Sequence, residues 1–284
     1  MSRILIAGCG DIGTALGNAL AGDGHYVAGL KRRPPANGGA IHYIQADLTR
    51  AAELSEINTD FDQVIVIVTP DRSDEESYRR VFVNGTENLL ELFSRNNTVA
   101  AFTFVSSTSV YGQTRGEWVD ETSPTESHGF RGQVLLAAES AVLSQSDNNT
   151  IVRFSGIYGP GRERLLTMAR QGGDIQYDPP YFTNRIHRDD CIGVLKFIVD
   201  KKIAGQQLSS IYLASDDDPA PLWEIIAWLA TRLDIPPPGK KYLAPDVDQN
   251  KRCRNTRLKE LGYHFLYPSY TDGYEVSGHT NIDR

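Results

Sequence analysis

The most specific chemical signal in the sequence is a glycine motif close to its beginning. Gly8, Gly10 and Gly13 stand in G-x-G-x-x-G spacing within "IAGCGDIGTAL". Glycines in this spacing let a pyrophosphate approach the backbone closely, and the helix that follows directs its first N–H groups at the phosphates. Because the motif lies between an apolar run and a helical pattern, it predicts a dinucleotide site. We include Asp11 and Ile12, at the start of that helix, in the predicted site.

A basic triplet follows the next apolar run. Lys31, Arg32 and Arg33 stand together in "AGLKRRPP", directly after Tyr26 to Leu30. In dinucleotide-binding units, an acidic residue at the end of the second strand accepts a hydrogen bond from the ribose 2′-hydroxyl, whereas a cation binds a 2′-phosphate. Three cations without a carboxylate favour NADP, with NAD as the second possibility. The alternative interpretation of the triplet is a solvated loop.

The elements that position these residues alternate between strand and helix. The predicted strands are "RILIA" (3–7), "YVAGL" (26–30), "IHYIQA" (41–46), "QVIVIV" (63–68), "AFTFVS" (101–106) and "TIVRF" (150–154). Helical patterns cover 78–96, 132–146 and 221–234, and a stripe of Ile12, Leu16, Ala19 and Leu20 marks the first helix. Such alternation predicts a doubly wound α/β sheet of parallel strands. We expect a nucleotide-binding domain over 1–155, joined by 188–214, and a smaller substrate-binding lobe over 156–284.

Composition narrows the classes of function. The chain has 284 residues, is 40% hydrophobic and carries a net charge of −7, which argues against nucleic acid as a partner. No apolar run approaches the roughly 20 residues of a membrane span, and the start of the chain does not resemble a signal peptide. Three widely spaced cysteines are typical of a reducing compartment. We therefore expect a cytoplasmic protein, monomeric or homodimeric, that acts on a small molecule.

Several later stretches resemble the extended short-chain dehydrogenase/reductase family of NAD(P)-dependent epimerases and dehydratases. "FVSSTSVYG" (104–112) is similar to the motif whose Ser or Thr touches the reacting hydroxyl, here Ser107. "QADLTR" (45–50) resembles the turn whose aspartate holds the adenine, here Asp47. "VNGTENLL" (83–90) matches the helix whose asparagine lies near the cofactor, here Asn84. Thr69 and Ser106 complete the predicted cofactor contacts.

The resemblance implies a Rossmann-type fold and extends to about residue 235. "VRFSGIYGPG" (152–161) and "NRIHRDD" (184–190) resemble the later family signatures that frame the substrate cleft. The run 251–275 is similar to the tail of atypical members that lack the active-site tyrosine. The glycine motif departs from the family pattern, which usually has one more residue between the first two glycines.

The catalytic helix departs further from the family. The family expects Tyr-x-x-x-Lys followed four residues later by glutamate, and Glu139 aligns Arg131 with the tyrosine and Leu135 with the lysine. None of the eight lysines has a tyrosine four residues before it. Arginine stays protonated near neutral pH, so it stabilises an anion but is a poor base. The sequence therefore predicts that the dyad is absent.

Four other residues are candidates for the missing acid–base group. They are Tyr111, Tyr158, His128 and His187, and for each of them packing or loop hydrogen bonding is the alternative. The first hypothesis is an NADP-dependent oxidoreductase or epimerase/dehydratase with an unusual acid–base group. Its rival is a dinucleotide-binding sensor or regulatory protein without turnover. A metal enzyme or serine hydrolase is disfavoured, because the sequence has no metal-ligand spacing and no G-x-S-x-G.

Overall fold

The computed structural model describes residues 1–37, 39–243 and 250–276, without the side chains of 275 and 276. Residues 244–249 and 277–284 of the predicted lobe lie outside the described residues. The strands are β1 (Arg3–Ala7), β2 (Tyr26–Lys31), β3 (His42–Gln45), β4 (Gln63–Val66), β5 (Ala101–Ser107), β6 (Glu117–Val119), β7 (Thr150–Phe154), β8 (Gly156–Tyr158), β9 (Asp174–Asp178), β10 (Phe182–Thr183), β11 (Arg185–His187), β12 (Ile211–Ala214), β13 (Ala220–Pro221), β14 (Gly239–Tyr242) and β15 (Lys251–Cys253).

Ten α-helices accompany these strands within the described residues. They are α1 (Asp11–Gly22), α2 (Ala51–Leu54), α3 (Glu75–Tyr78), α4 (Gly85–Arg95), α5 (Phe130–Leu143), α6 (Arg164–Gln171), α7 (Arg188–Ile203), α8 (Leu222–Arg232), α9 (Thr256–Glu260) and α10 (Tyr270–Val276). A short 3₁₀ helix spans Thr108–Val110. The helices predicted over 132–146 and 221–234 correspond to α5 and α8.

Seven strands form one parallel sheet in the order β12-β7-β5-β4-β1-β2-β3. β1 pairs in parallel with both β2 and β4, so the strand order reverses direction between β1 and β4. Ligands of doubly wound sheets bind beside such a reversal, at the carboxyl ends of the strands. The predicted doubly wound α/β fold of the Rossmann type is confirmed.

The buried faces explain why these segments form the elements they do. Ile4, Leu5 and Ile6 of β1 have no solvent exposure, because the strand is covered on both sides. On α1, Ile12, Leu16 and Leu20 are buried at helical spacing, while Ala19 is only partly covered. The continuous apolar run and the helical stripe in the sequence therefore correspond to real burial.

The helix predicted over 78–96 is longer and less regular than expected. α3 and α4 are joined by a π-helix over Arg79–Asn84, in which the N–H of Gly85 donates to the carbonyl of Arg80. A Cβ on Gly85 would lie 3.0 Å from the side chain of Leu48, so this turn packs closely on Leu48. π-helical turns are rare and occur frequently at functional sites.

The chain divides into two compact units. The first unit consists of Met1–Val110, Ser127–Arg153 and Ile192–Tyr212, and the second of Tyr111–Glu126, Phe154–Cys191 and Leu213–Arg284. The second unit has its own core, in which Tyr158, Tyr270 and Tyr274 pack with Ile225 and Leu229. Its strands occur in pairs, namely β6 with β15, β8 with β11, β9 with β14, and β10 with β13.

Candidate functional site

The glycine loop after β1 is built by two close backbone approaches. Gly8 has a φ of 106°, and a Cβ there would lie 2.0 Å from the carbonyl oxygen of Ile67. A Cβ on Gly13 would lie 2.3 Å from the carbonyl oxygen of Gly8. A Cβ on Gly10, by contrast, would have no heavy atom of another residue within 4 Å, apart from its chain neighbours. The loop thus closes tightly on both sides and leaves open space at Gly10, which is the arrangement that a pyrophosphate requires.

A cleft of about 690 Å³ opens beside this loop, within the first unit. Its lining comes from the carboxyl ends of β1, β2, β3 and β4 and from the π-helical segment. The lining residues are Gly8, Cys9, Gly10, Leu30, Lys31, Arg32, Arg33, Ala46, Asp47, Leu48, Thr49, Arg50, Ile67, Val68, Thr69, Asp71, Arg80 and Val81. The structure therefore brings together the glycine loop, the basic triplet, Asp47 and Thr69. Its volume lies within the usual range of ligand pockets.

Five cationic side chains line the cleft, whereas the sequence predicted three of them. Lys31, Arg32 and Arg33 are joined by Arg50 and Arg80, which come from other parts of the chain. No local pattern marks Arg50 or Arg80, because only the folding of the chain brings them to the end of β2. The cleft is therefore strongly basic although the chain as a whole is acidic.

One carboxylate stands among these cations and was missed by sequence reasoning. Arg32 donates from Nη1 and Nη2 to the two carboxylate oxygens of Asp71, at 2.5 and 2.7 Å. Hydrogen bonding from Arg32 lowers the pKa of Asp71, so this carboxyl is ionised at neutral pH. The fork-to-fork geometry is the one that arginine also uses for phosphates.

Asp47 is held rigidly at the wall of the cleft. Its Oδ1 accepts hydrogen bonds from the N–H of Thr49 at 2.9 Å and from the Thr49 hydroxyl at 2.8 Å. Burial acts to raise the pKa of Asp47, but the hydrogen bonds from Thr49 outweigh it and the pKa is lowered. Glu53 accepts from the Asp47 N–H at 2.7 Å, so the turn presents a fixed, ionised carboxylate.

The asparagine expected near the cofactor has a different environment from Asp47. Asn84 ends the π-helical segment, is exposed and does not line the cleft. Asn88, one helical turn later, donates to the carbonyl of Leu48 at 3.0 Å and thereby ties α4 to the cleft wall. The predicted cofactor contact of Asn84 stays a prediction.

Cys9 is the thiol inside the glycine loop. It is 1% exposed, and its Sγ lies 3.7 Å from the carbonyl oxygen of Ile6. Burial raises the pKa of Cys9 to about 11, although the nearby charge of Lys31 acts in the opposite direction. A Cβ on Gly29 would lie 2.6 Å from its sulfur, so Cys9 is a tightly packed and protonated side chain at neutral pH.

Ser107 lies at the end of β5, where the chain turns into the 3₁₀ helix. Its hydroxyl accepts a hydrogen bond from the N–H of Ser109 at 3.2 Å. α5 packs directly on this turn, because a Cβ on Gly132 would lie 2.5 Å from the carbonyl oxygen of Ser109. The turn that follows Ser107 therefore packs against the first turn of α5, which carries Arg131, and the predicted catalytic role of Ser107 stays a prediction.

Arg131 and Leu135, at the positions predicted to correspond to the family dyad, both contact other side chains. Arg131 is exposed, and its guanidinium carbon lies 5.7 Å from the ring centres of both Tyr78 and Phe130. Leu135 is 3% exposed and belongs to the core of the first unit. Neither side chain can exchange a proton near neutral pH.

The alternative acid–base candidates have contrasting environments. Tyr111 and Tyr158 are 0% and 3% exposed and belong to the second unit, where the Tyr158 hydroxyl donates to the carbonyl of Ser269. Burial raises the pKa of Tyr158. His187 is also buried, and its Nδ1 accepts from the N–H of Asp189. His128 is exposed just before α5, so it is the candidate of the four with open access to solvent.

Glu139, the glutamate of the motif on α5, has buried partners within the first unit. Ser106 donates to Oε1 of Glu139 at 2.5 Å, and both residues are buried. Arg153 donates to the same carboxylate through two nitrogens. The Ser106 hydroxyl therefore has a structural partner inside the first unit, and its predicted cofactor contact stays a prediction.

Other classes of site find no support in the described ranges 1–37, 39–243 and 250–276. No group of three or more His, Cys, Asp or Glu side chains in these ranges is arranged to hold a metal ion. Nor does any helix there have the length and apolar character needed to cross a membrane.

The parallel sheet and its glycine-loop cleft define an α/β protein of the Rossmann type. The model of the NAD dependent epimerase/dehydratase family matches residues 4–194. A putative NAD-dependent epimerase/dehydratase from Methylobacillus flagellatus is 35% identical, with 97% of each chain covered and a TM-score of 0.80. The chain belongs to the NAD-dependent epimerase/dehydratase family, which confirms the predicted resemblance.

Two further solved structures extend this comparison. A functionally unknown conserved protein from Silicibacter pomeroyi is 26% identical, with 97% of each chain covered and a TM-score of 0.74. UDP-glucuronic acid 4-epimerase from Bacillus cereus, solved in complex with NAD, is 21% identical over 98% of this chain and 96% of its own, with a TM-score of 0.76. The latter likeness shows the fold alone. No curated protein matches the chain.

Proposed function

We propose that the first unit binds NADP(H) in the cleft at the carboxyl ends of β1, β2 and β4. The observation that carries this proposal is that one cleft contains both the glycine loop and the triplet Lys31, Arg32 and Arg33. The open Cβ position of Gly10 leaves room for the pyrophosphate, and α1 begins one residue later. When bound, the cofactor supplies hydride transfer at its nicotinamide.

Preference for NADP over NAD follows from the charges at the end of β2. A 2′-phosphate placed there faces Lys31 and Arg33 as well as the fork of Arg32, and the carboxylate expected for NAD is absent from the strand itself. Asp47 and Thr49 line the wall where we place the adenine. Thr69, which follows β4, completes the floor.

We propose that the protein is an oxidoreductase or an epimerase/dehydratase-like enzyme. Its substrate would be a small hydroxyl or carbonyl compound or a nucleotide-sugar-like molecule. The similarity to a putative epimerase/dehydratase supports this class of reaction. Ser107 would hydrogen bond the oxygen on which charge develops, and Arg131 would orient an anionic part of the substrate.

The proton would come from a group other than the family dyad. Tyr111, Tyr158 and His187 are buried in the second unit, which disfavours direct exchange with a substrate. His128 is exposed beside the first turn of α5, and histidine is the side chain that most often acts as a general acid or base. We therefore favour His128 among the four candidates.

A second function, a dinucleotide-binding sensor without turnover, is favoured by one observation. Both dyad positions are filled by side chains that pack, Arg131 on two aromatic rings and Leu135 in the core. Such a protein keeps the cofactor cleft and uses bound NADP(H) to bias its own stability or its association.

Binding and turnover measurements test these proposals in sequence. The first is titration of the purified protein with NADPH and NADH, where we expect roughly tenfold tighter binding of NADPH. Changing Lys31 and Arg32 together to alanine should remove most of this preference. Arg79→Ala is the control, since Arg79 pairs with Glu75 on the surface and does not line the cleft.

The second measurement follows absorbance of the nicotinamide with a panel of carbonyl compounds and nucleotide sugars. Turnover by the unaltered protein supports the enzyme, and binding without turnover across the panel supports the sensor. Equal affinity for NADPH and NADH would contradict the proposed cofactor preference.

A further inference from the structure

The ion pair between Arg32 and Asp71 stands where the cofactor phosphate is expected. The two residues are 39 positions apart, and both line the same cleft. Arg32 donates through both terminal nitrogens, and each side chain keeps 54% of its surface exposed. The pair is therefore accessible to a ligand and is not locked by the core.

The surrounding charges make Asp71 different from the other carboxylate of the cleft. Asp47 is engaged by the backbone and hydroxyl of Thr49. Asp71 has the guanidinium of Arg32 as its hydrogen-bonding partner and also feels the charges of Arg33 and Arg80. The carboxylate of Asp71 thus accepts hydrogen bonds from the same two nitrogens of Arg32, Nη1 and Nη2, that a phosphate monoester would use.

We propose that Asp71 is a specificity-determining residue that lowers the preference for NADP by occupying the guanidinium of Arg32. This inference rests on the proposed function, because it requires a dinucleotide in this cleft. A 2′-phosphate competes with the carboxylate for Nη1 and Nη2 of Arg32, because the ion pair already uses both of these nitrogens. NAD leaves the ion pair intact, and Asp71 then offers an acceptor for the ribose 2′-hydroxyl that the end of β2 lacks.

The experiment compares the unaltered protein with Asp71→Asn, which removes the charge but keeps the shape of the side chain. Dissociation constants are measured for NADPH and NADH, and also for adenosine 2′,5′-bisphosphate and 5′-AMP, which report on the adenosine end alone. Asp60→Asn is the matched control, because Asp60 is an exposed partner of Arg3 in the same unit and does not line the cleft. Circular dichroism checks that all variants fold.

We expect Asp71→Asn to bind NADPH and the bisphosphate about fivefold to tenfold more tightly, because a charged hydrogen-bonding partner of the phosphate is released. Binding of NADH and 5′-AMP should stay the same or weaken. The gain should shrink as salt is raised from about 0.05 to 0.5 M, since exposed charges are screened. In a background of Arg32→Ala, Asp71→Asn should change NADPH affinity no more than Asp60→Asn does.

Failure of the inference and failure of the proposed function give different results. If the unaltered protein prefers NADH but Asp71→Asn shifts the ratio toward NADPH, the NADP preference is wrong and the inference holds. If Asp71→Asn and Asp60→Asn give the same ratio as the unaltered protein, the inference is wrong and the NADP proposal is judged by that ratio. If Asp71→Asn tightens NADPH binding equally in the Arg32→Ala background, the ion pair is not the cause of the effect and the inference is wrong. Absence of binding by any ligand overturns both proposals.

Discussion

Arg153 donates two hydrogen bonds to the carboxylate of Glu139 inside the first unit, from Nε at 3.0 Å and from Nη2 at 2.6 Å. Both side chains are 4% exposed, and Ser106 donates to the same carboxylate. The pair joins α5 to β7, and the hydrogen bond from Ser106 connects it to β5, one residue before Ser107. Glu139 belongs to the catalytic-helix motif in the sequence, but in the structure it is a buried residue that connects α5 to its neighbouring strands.

Replacing Glu139 by alanine should destabilise the first unit strongly. Arg153 would lose the carboxylate that two of its nitrogens contact, and removing one partner of a buried ion pair costs about 3–5 kcal/mol in the free energy of unfolding. Urea denaturation followed by circular dichroism measures this. Glu91→Ala is the control, because Glu91 pairs with Arg95 on the exposed face of α4, where such a pair contributes about 0.5 kcal/mol or less. Equal losses in the two variants would contradict the assigned role of Glu139.

Two glycines of the loop should respond differently to the same added methyl group. In Gly10→Ala the methyl enters open space, so stability should hold while NADPH affinity falls roughly tenfold, matching the 1–3 kcal/mol cost of an unaccommodated methyl. In Gly13→Ala the methyl meets the carbonyl of Gly8, so stability itself should fall. Gly22→Ala, at the other end of α1, should leave NADPH affinity unchanged and should not lower stability, because alanine has the higher helix propensity. Isothermal titration measures NADPH affinity, and thermal melts measure stability. Loss of stability in Gly10→Ala would contradict the open space assigned to Gly10.

If the protein turns over, Ser107 and Arg131 should affect different kinetic constants. Ser107→Ala should lower kcat by about 10²-fold, because a donor to the developing negative charge is lost. Arg131→Ala should raise KM with little change in kcat, since a permanent cation stabilises substrate and transition state alike. Ser109→Ala is the control, because the contacts of Ser109 with Ser107 and Gly132 are made by its backbone. Unchanged kcat in Ser107→Ala would mean that the reaction occurs elsewhere.

Lys202 should make stability depend on pH. Its Nζ donates to the carbonyl of Phe102 and to the hydroxyl of Thr103, and burial lowers the pKa of Lys202 to about 7. Between about pH 7 and 10.5 the unfolded chain binds the proton and the folded one does not, so stability rises with pH over that window.

Comparison with Lys202→Met isolates this effect. The stability difference, unaltered protein minus variant, should increase from pH 7 to pH 9 by at most about 1.4 kcal/mol per pH unit. Denaturant titrations at pH 6, 7, 8 and 9 measure it. Lys201→Met, at a neighbouring position whose Nζ lies 5.0 Å from the ring centre of Phe197, should show no such slope. A difference that is flat with pH would show that the Lys202 amine titrates normally when folded.

Local patterns in the sequence were sufficient for the sheet and for the glycine loop. Continuous apolar runs such as 3–7 require burial on both faces, and helical stripes such as that of α1 require one covered side. The close approach of Gly13 to Gly8 is short-range as well, whereas the approach of Gly8 to the carbonyl of Ile67 joins distant parts of the chain. The predicted boundaries differed by a few residues, as for 63–68 against β4 at Gln63–Val66.

Long-range contacts within the first unit were decided only by the tertiary structure. Nothing near Arg32 in the sequence indicates that its guanidinium forms an ion pair with Asp71, which lies on the loop after β4. Likewise the motif around Glu139 indicates catalysis, whereas packing against Arg153 makes it structural. The sequence by itself determined the class of fold, the glycine loop and the basic end of β2, because these depend on neighbouring residues. Which charges meet in the cleft depends on how distant loops are brought together by the sheet, and periodicity carries no information about that.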